Sequence, residues 1–182
     1  MLDEPHVEPL TNYVRELNGR GRGYVPDFDP LDGGVDAKLI LLLEKPGPRT
    51  SPPRGSGFVS RDNAGSTGET IHRFMREAGV PRCDIAIWNT VPWWNGTTAL
   101  TGGEKLSGAA ELGSLLPLFR HLRGVALAGN LAWQFGGPAF RARGVQLFRC
   151  VHPSSQARIG PRSRDAWLRL PHIWREAWSA VA

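Results

Sequence analysis

Glu44 follows the aliphatic run "LILLL" directly, Asn89 lies within "DIAIWNTV", and His152 comes straight after "VQLFRCV" at the head of "HPSS". A carboxylate at the end of such a run is partly desolvated. An asparagine amide presents a donor beside an acceptor and is suited to reading the edge of a nucleobase. Taken singly, each has a plainer explanation: a solvated strand end for the glutamate, a tied turn for the asparagine, a structural role for the histidine. Convergence of all three at one end of one sheet is what points to a site.

Four short apolar runs supply that sheet: "KLILLL" (38–43), "DIAIWNTV" (84–91), "VALAG" (125–129) and "VQLFRCV" (145–151). Each reads as a buried strand. Between them lie segments with helix signals. "STGETIHRFMREAG" opens with Ser66 and Glu69 at capping-box spacing and stops at Gly79 before Pro81. Thr101 and Glu104 repeat that spacing at the head of a longer segment with a kink expected at Pro117, and "NLAWQFGG" predicts a short third helix. In the tail, Trp167, Leu170, Trp174 and Trp178 share a helical face, which makes them core, and Pro171 should bend or split that helix. Leu10, Val14 and Leu17 predict an N-terminal helix, followed by a Gly/Pro/Asp-rich connection within 1–34. Strands alternating with helices give an α/β fold: a three-layer α/β/α domain with a central, mostly parallel four-stranded sheet. In such sheets ligands bind beyond the carboxyl ends of the strands, where Glu44, Asn89 and His152 stand.

At 182 residues the chain makes one domain, 1–182. Its net charge of +5 comes almost wholly from arginine, since Lys38, Lys45 and Lys105 are the only lysines. Arginine's planar fork suits phosphate, although a coding bias explains the count equally well, so position must decide. Arg49, Arg54 and Arg61 follow the first strand, and Arg158, Arg162 and Arg164 follow the fourth, both at the site end of the sheet. Cys83 and Cys150 are too far apart in sequence for a cysteine metal motif and are expected to be core thiols. No metal and no cofactor is expected. "MLDEPHVEPL" lacks the apolar core of a leader and no run is long enough for a membrane span, so a cytoplasmic, monomeric protein is expected.

"LEKPGP", then "GFVSRDNAGSTGETI", then "WNTVPWW", then "HPSS" resemble, in order and spacing, the motifs of the uracil-DNA glycosylase superfamily. The resemblance runs from about residue 36 to the "HPSS" loop, and the first motif is most similar to that of the bacterial iron–sulfur-type enzymes. It implies a catalytic glutamate at Glu44, a base-stacking phenylalanine at Phe58, a base-reading asparagine at Asn89 and a catalytic histidine at His152. The family's cluster cysteines are missing. Leu43 and Lys45 depart from the first motif's Gly-Glu-Ala-Pro-Gly. Gly47 stands where the major uracil-excising enzymes carry a tyrosine that excludes thymine's methyl group. Lys45 is read as a surface residue, with phosphate contact as the alternative.

The resemblance implies a base-excision repair enzyme whose partner is DNA containing uracil. The base would leave as an anion from an oxocarbenium-like sugar. Glu44 would face the cation or orient water, and His152 would donate a hydrogen bond to uracil O2. The base must first be flipped from the helix. Arg158, Arg162, Arg164, Arg49, Arg54 and Arg61 would hold the backbone, and Ile159 is either an intercalating wedge or a loop anchor. Three alternatives stay open: a glycosylase for hypoxanthine or mismatched thymine, a non-catalytic DNA-binding protein on the same fold, and an α/β enzyme acting on nucleotides or phosphate esters.

Overall fold

The computed structural model describes residues 1–182. Leu10, Val14 and Leu17 are buried along one face of α1 (Glu8–Gly19). The connection after it carries β1 (Asp27–Phe28), a two-residue strand paired in parallel with the equally short β3 (Phe58–Val59). The sequence pattern gives no sign of this ribbon, which is too short for an alternation to register.

The first aliphatic run is β2 (Leu39–Leu43), buried at every residue. It lies between β4 (Ile85–Asn89) and β5 (Gly124–Ala128), and β6 (Gln146–Cys150) completes the sheet beside β5. All four strands are parallel in the order β4-β2-β5-β6, so the expected three-layer α/β/α architecture is the one observed. β2, β4 and β5 are buried at every position because helices cover both faces. β6 departs from the fully buried strand expected, with Gln146 and Arg149 exposed; the other edge strand, β4, stays buried with Phe28 of β1 stacked on its Trp88 at 3.9 Å.

α2 (Ser66–Ala78) packs with the tail, where Phe74 meets Trp167 and Trp174 edge-on at centroid distances of 4.6 and 6.4 Å. The tail is split as expected, into α5 (Pro161–Leu168) and α6 (Leu170–Ser179), with Trp167, Leu170 and Trp174 buried and Trp178 partly so. α3 (Gly102–Leu115) joins α1 on the other side, where Tyr13 Oη donates to Glu111 O at 3.1 Å. It begins with the predicted capping box and ends before Pro117 in a 3-10 turn. "NLAWQFGG" forms a π turn (Ala132–Gly136) leading into α4 (Gly137–Ala142). No helix is long and apolar enough to cross a membrane. Cys150 is buried, its thiol pushed up to about 12 by desolvation, whereas Cys83 is exposed and not the core thiol expected, because it lies in a 3-10 turn before β4.

One close approach fixes α3 against the end of β4. A Cβ on Gly108 would stand 2.6 Å from Thr90 O and 2.8 Å from Val91 Cα. Both are backbone atoms just beyond Asn89, so neither can yield without moving the strand end. Gly108→Ala should therefore destabilise the fold by about 1–3 kcal/mol, despite alanine's better helix propensity, as read by urea unfolding.

Candidate functional site

Residue pairing places the strand ends level: Leu43 opposite Asn89, and Ala128 opposite Cys150. Two further bonds extend the alignment past the strands, Thr90 N–H donating to Leu43 O and Val91 N–H to Glu44 O, each at 2.9 Å. Glu44, Asn89 and His152 therefore reach the same edge of the sheet, as the spacing predicted. A cavity of about 370 Å³ opens there. Its apolar wall is Leu43, Val59, Ile71 and Ile87, and Asn89 and His152 both line it. That volume is within the range of small-ligand sites.

Asn89 is 2% exposed and its Oδ1 has no hydrogen-bond partner. A buried amide oxygen left so costs roughly 1–3 kcal/mol, which a ligand donor would recover. His152 Nδ1 accepts from the backbone N–H of Ser154 at 3.2 Å. An accepting Nδ1 carries no proton, so the neutral ring bears its hydrogen on Nε2. Burial lowers the imidazole to about 4, which keeps it neutral at pH 7. His152 also lines a second hollow, with Gly129, Asn130 and Arg149.

Glu44 is half-buried and, unlike its neighbours Leu43 and Lys45, does not line the cavity. Its carboxylate turns toward the end of β5, where Leu131 N–H approaches Oε1 at 3.5 Å. Gly129, with φ +94°, leaves room for it: a Cβ there would fall 2.5 Å from Glu44 Oε1.

Phe58 is not on the cavity wall. Alternation along β3 gives that place to Val59 and turns Phe58 into a separate hollow with Met1, Leu2, Pro30 and Leu31, so the stacking position expected for it is not formed. Lys45 is neither a surface residue nor a phosphate contact. Its side chain is 4% exposed and donates to Asn95 Oδ1, Ala99 O and Glu104 Oε1 at 2.8, 3.1 and 3.0 Å, occupying all three ammonium hydrogens. With the Thr101 N–H bond as the larger cause, this lysine holds the Glu104 carboxyl down at about 2.

The arginines divide. Arg61, expected on the phosphate backbone, is 5% exposed and lies 3.6 Å from Asp32, so it is unavailable to DNA. Burial pushes the Asp32 carboxyl up to about 7 even with Arg61 and Arg82 beside it. Arg82 is the hub of this cluster, pairing with Asp29, Asp32 and Asp62 at 2.6, 3.0 and 2.8 Å, and Ser60 donates to Asp29 as well. The cluster ties the loop after β3 to the N-terminal connection. Arg49 is exposed on the cavity rim, and Arg54 is exposed away from it.

Arg158, Arg162 and Arg164 are all exposed, and Ile159 is 74% exposed. Arg158, Ile159 and Arg164 share an open hollow with Arg73 of α2, which the sequence reading did not single out. Arg73 and Arg158 each place a guanidinium 5.6 Å from the ring centre of Trp167, whose Nε1 donates to Pro153 O at 3.2 Å. The start of α2 also joins the cavity through Gly65, Ser66, Thr67 and Gly68. Ser66 was expected to cap that helix. It is instead the first helical residue, and its hydroxyl donates to Ser155 Oγ at 3.2 Å.

No protein-family model matches the chain, and no curated protein matches it.

A neutral His152 makes a specific pH signature. Its depressed pKa means that the folded state binds its proton less readily than the unfolded chain, so this contribution to stability is present above about 6.5 and is lost as pH falls toward about 4. Histidine resonances followed by NMR should show His152 still neutral at pH 5.5, with Nε2 protonated. Titration near 6.5 would contradict the arrangement.

Proposed function

We propose that the chain is a DNA glycosylase hydrolysing the N-glycosidic bond of uracil, with the flipped base held in the cavity at the strand ends. The observation that carries this reading is the pairing of a buried, unpartnered Asn89 amide with a neutral His152 on one cavity wall. Uracil presents an N3–H donor beside an O4 acceptor, which one amide plane can match with an oxygen and an NH₂. His152 Nε2–H would donate to O2, where negative charge grows as the bond breaks. Neutrality suits that role, since a hydrogen bond to the departing anion needs no proton transfer.

The sugar would lie toward the end of β2, where Glu44 follows the lining residue Leu43. There its carboxylate would face the oxocarbenium-like sugar or orient the attacking water. The C1′–N1 bond breaks with its electron pair leaving on the base, and water supplies hydroxide to C1′ and a proton to the uracil anion. No metal and no cofactor enters the reaction so written. The motif order of the sequence supports the same reading. A Cβ on Gly47, which also lines the cavity, would meet nothing within 4 Å, which favours a base range extending to thymine or hypoxanthine.

The deciding experiment is single-turnover excision from oligonucleotides carrying one uracil, hypoxanthine or mismatched thymine. Glu44→Gln should slow uracil release by about two orders of magnitude or more with little change in DNA affinity, because the carboxylate acts on charge present only in the transition state. Asn89→Asp should depress uracil excision steeply, since an unpaired polar contact discriminates by roughly 10⁴. Excision by neither the parent chain nor its variants would leave the non-catalytic DNA-binding reading.

Phosphate contacts are separable from the chemistry. Replacing Arg158, Arg162 or Arg164 by alanine should flatten the plot of log affinity against log salt by up to about one unit each. Arg61→Ala should leave the slope unchanged and lower stability instead, because its guanidinium is buried against Asp32.

A further inference from the structure

The cavity wall has a second polar end. α2 is 13 residues long, and Gly65 before it, at φ +118°, offers no side chain to cap it. The first backbone bond of the helix runs from Glu69 N–H to Gly65 O at 3.1 Å, so the N–H groups of Ser66, Thr67 and Gly68 have no acceptor within the helix. Ser66 does not supply one, because its hydroxyl is turned to Ser155. These three residues line the same cavity as the buried, unpartnered amide of Asn89.

The charges around the cavity favour an anion. No aspartate or glutamate lines it, and its cationic residues are Lys45 and Arg49. Lys45 is committed to Glu104, whereas Arg49 is exposed and forms no ion pair. The acids nearest to it are off the wall: Glu44 lies between the lining residues Leu43 and Lys45 with its carboxylate turned to Leu131 N–H, Asp62 is paired with Arg82 at 2.8 Å, and Glu69 is exposed on the first turn of α2.

We propose that the α2 N-terminus, with Thr67 and Arg49, is an anion subsite that takes a phosphate of the same nucleotide whose base Asn89 reads. It rests on the base-binding reading above for the identity of the nucleotide, and on geometry for the anion. Three free N–H groups and the positive end of the helix dipole bind a tetrahedral oxyanion without any specialised side chain. The ligand class is then a pyrimidine nucleotide and not a free base, and the cavity would hold base and phosphate at opposite ends.

Calorimetric titration with inorganic phosphate, deoxyuridine, and deoxyuridine 5′- and 3′-monophosphate separates the two ends. Three chains are compared: the parent, Ser66→Asp and Ser66→Ala. An aspartate at the first helical position is favoured by the helix dipole, so S66D should fold, and its carboxylate would occupy the N–H cluster. S66A removes the bond to Ser155 but leaves the cluster free. The parent should bind one monophosphate at least about tenfold more tightly than deoxyuridine, S66A should retain that difference, and S66D should lose it while binding deoxyuridine as the parent does. Thr67→Glu, with its carboxylate one position further in, should repeat the S66D result if S66D unfolds.

Equal affinity of the parent for nucleoside and monophosphates, or phosphate binding unaltered in both acidic variants, would overturn the subsite. Failure of deoxyuridine to bind, with inorganic phosphate still bound by the parent and S66A but not by S66D, would support the subsite and remove the base-reading role of Asn89.

Discussion

The parallel ladder that β2 forms with both neighbours is the constraint from which the candidate site follows. A parallel sheet delivers every strand to the same edge, and here the pairing of Leu43 with Asn89 and of Ala128 with Cys150 leaves those ends level. The residues that come next, Glu44, Gly129 and His152, have no choice but to gather there. A slip of one residue in β4 would turn Asn89 to the opposite face of the sheet and bring Thr90 to the cavity side. The bonds from Thr90 and Val91 to the end of β2 resist that slip at the very place where it would matter.

What the sheet aligns, the loops must shape, and charge does much of that work. Arg82 draws Asp29, Asp32 and Asp62 together from separate stretches of chain, and Lys45 fastens the loop after β4 to the start of α3 through Asn95 and Glu104. These cations are consumed in positioning the walls. Removing one partner from so enclosed a cluster would strand a buried charge, which costs far more than a surface ion pair is worth. Of the free arginines, Arg49 stands on the cavity rim, whereas Arg73, Arg158 and Arg164 collect outside it along α2 and the segment after β6. The paired cations thus serve packing, and the exposed arginines supply the surface field.

Much of this was legible in the residues. Aliphatic runs followed by single polar residues gave the four strands and the edge on which Glu44, Asn89 and His152 meet, because burial on both faces writes itself into composition. Thr101 and Glu104 gave a helix start for the same reason: a cap is a local bond. Phe58 and Arg61 were misplaced since their directions depend on a two-residue ribbon and on Asp32, neither of which leaves a periodic trace. Lys45 looked like a surface residue because nothing in its own neighbourhood shows that Asn95, Ala99 and Glu104 will fold back onto it. The glycine-flanked start of α2 was visible as "AGSTGE", but a capping reading of Ser66 concealed that its helix end is bare.

Trp167 has a consequence for how the molecule opens. Its indole nitrogen holds the backbone just after His152, its ring supports guanidiniums from α2 and from the 3-10 turn that follows, and it is itself buried against Phe74. The histidine turn therefore cannot fray alone, as an exposed loop of its length ordinarily would. Freeing it requires breaking the bond from Trp167 Nε1–H to Pro153 O, which couples the turn to α5 and, through Phe74, to α2.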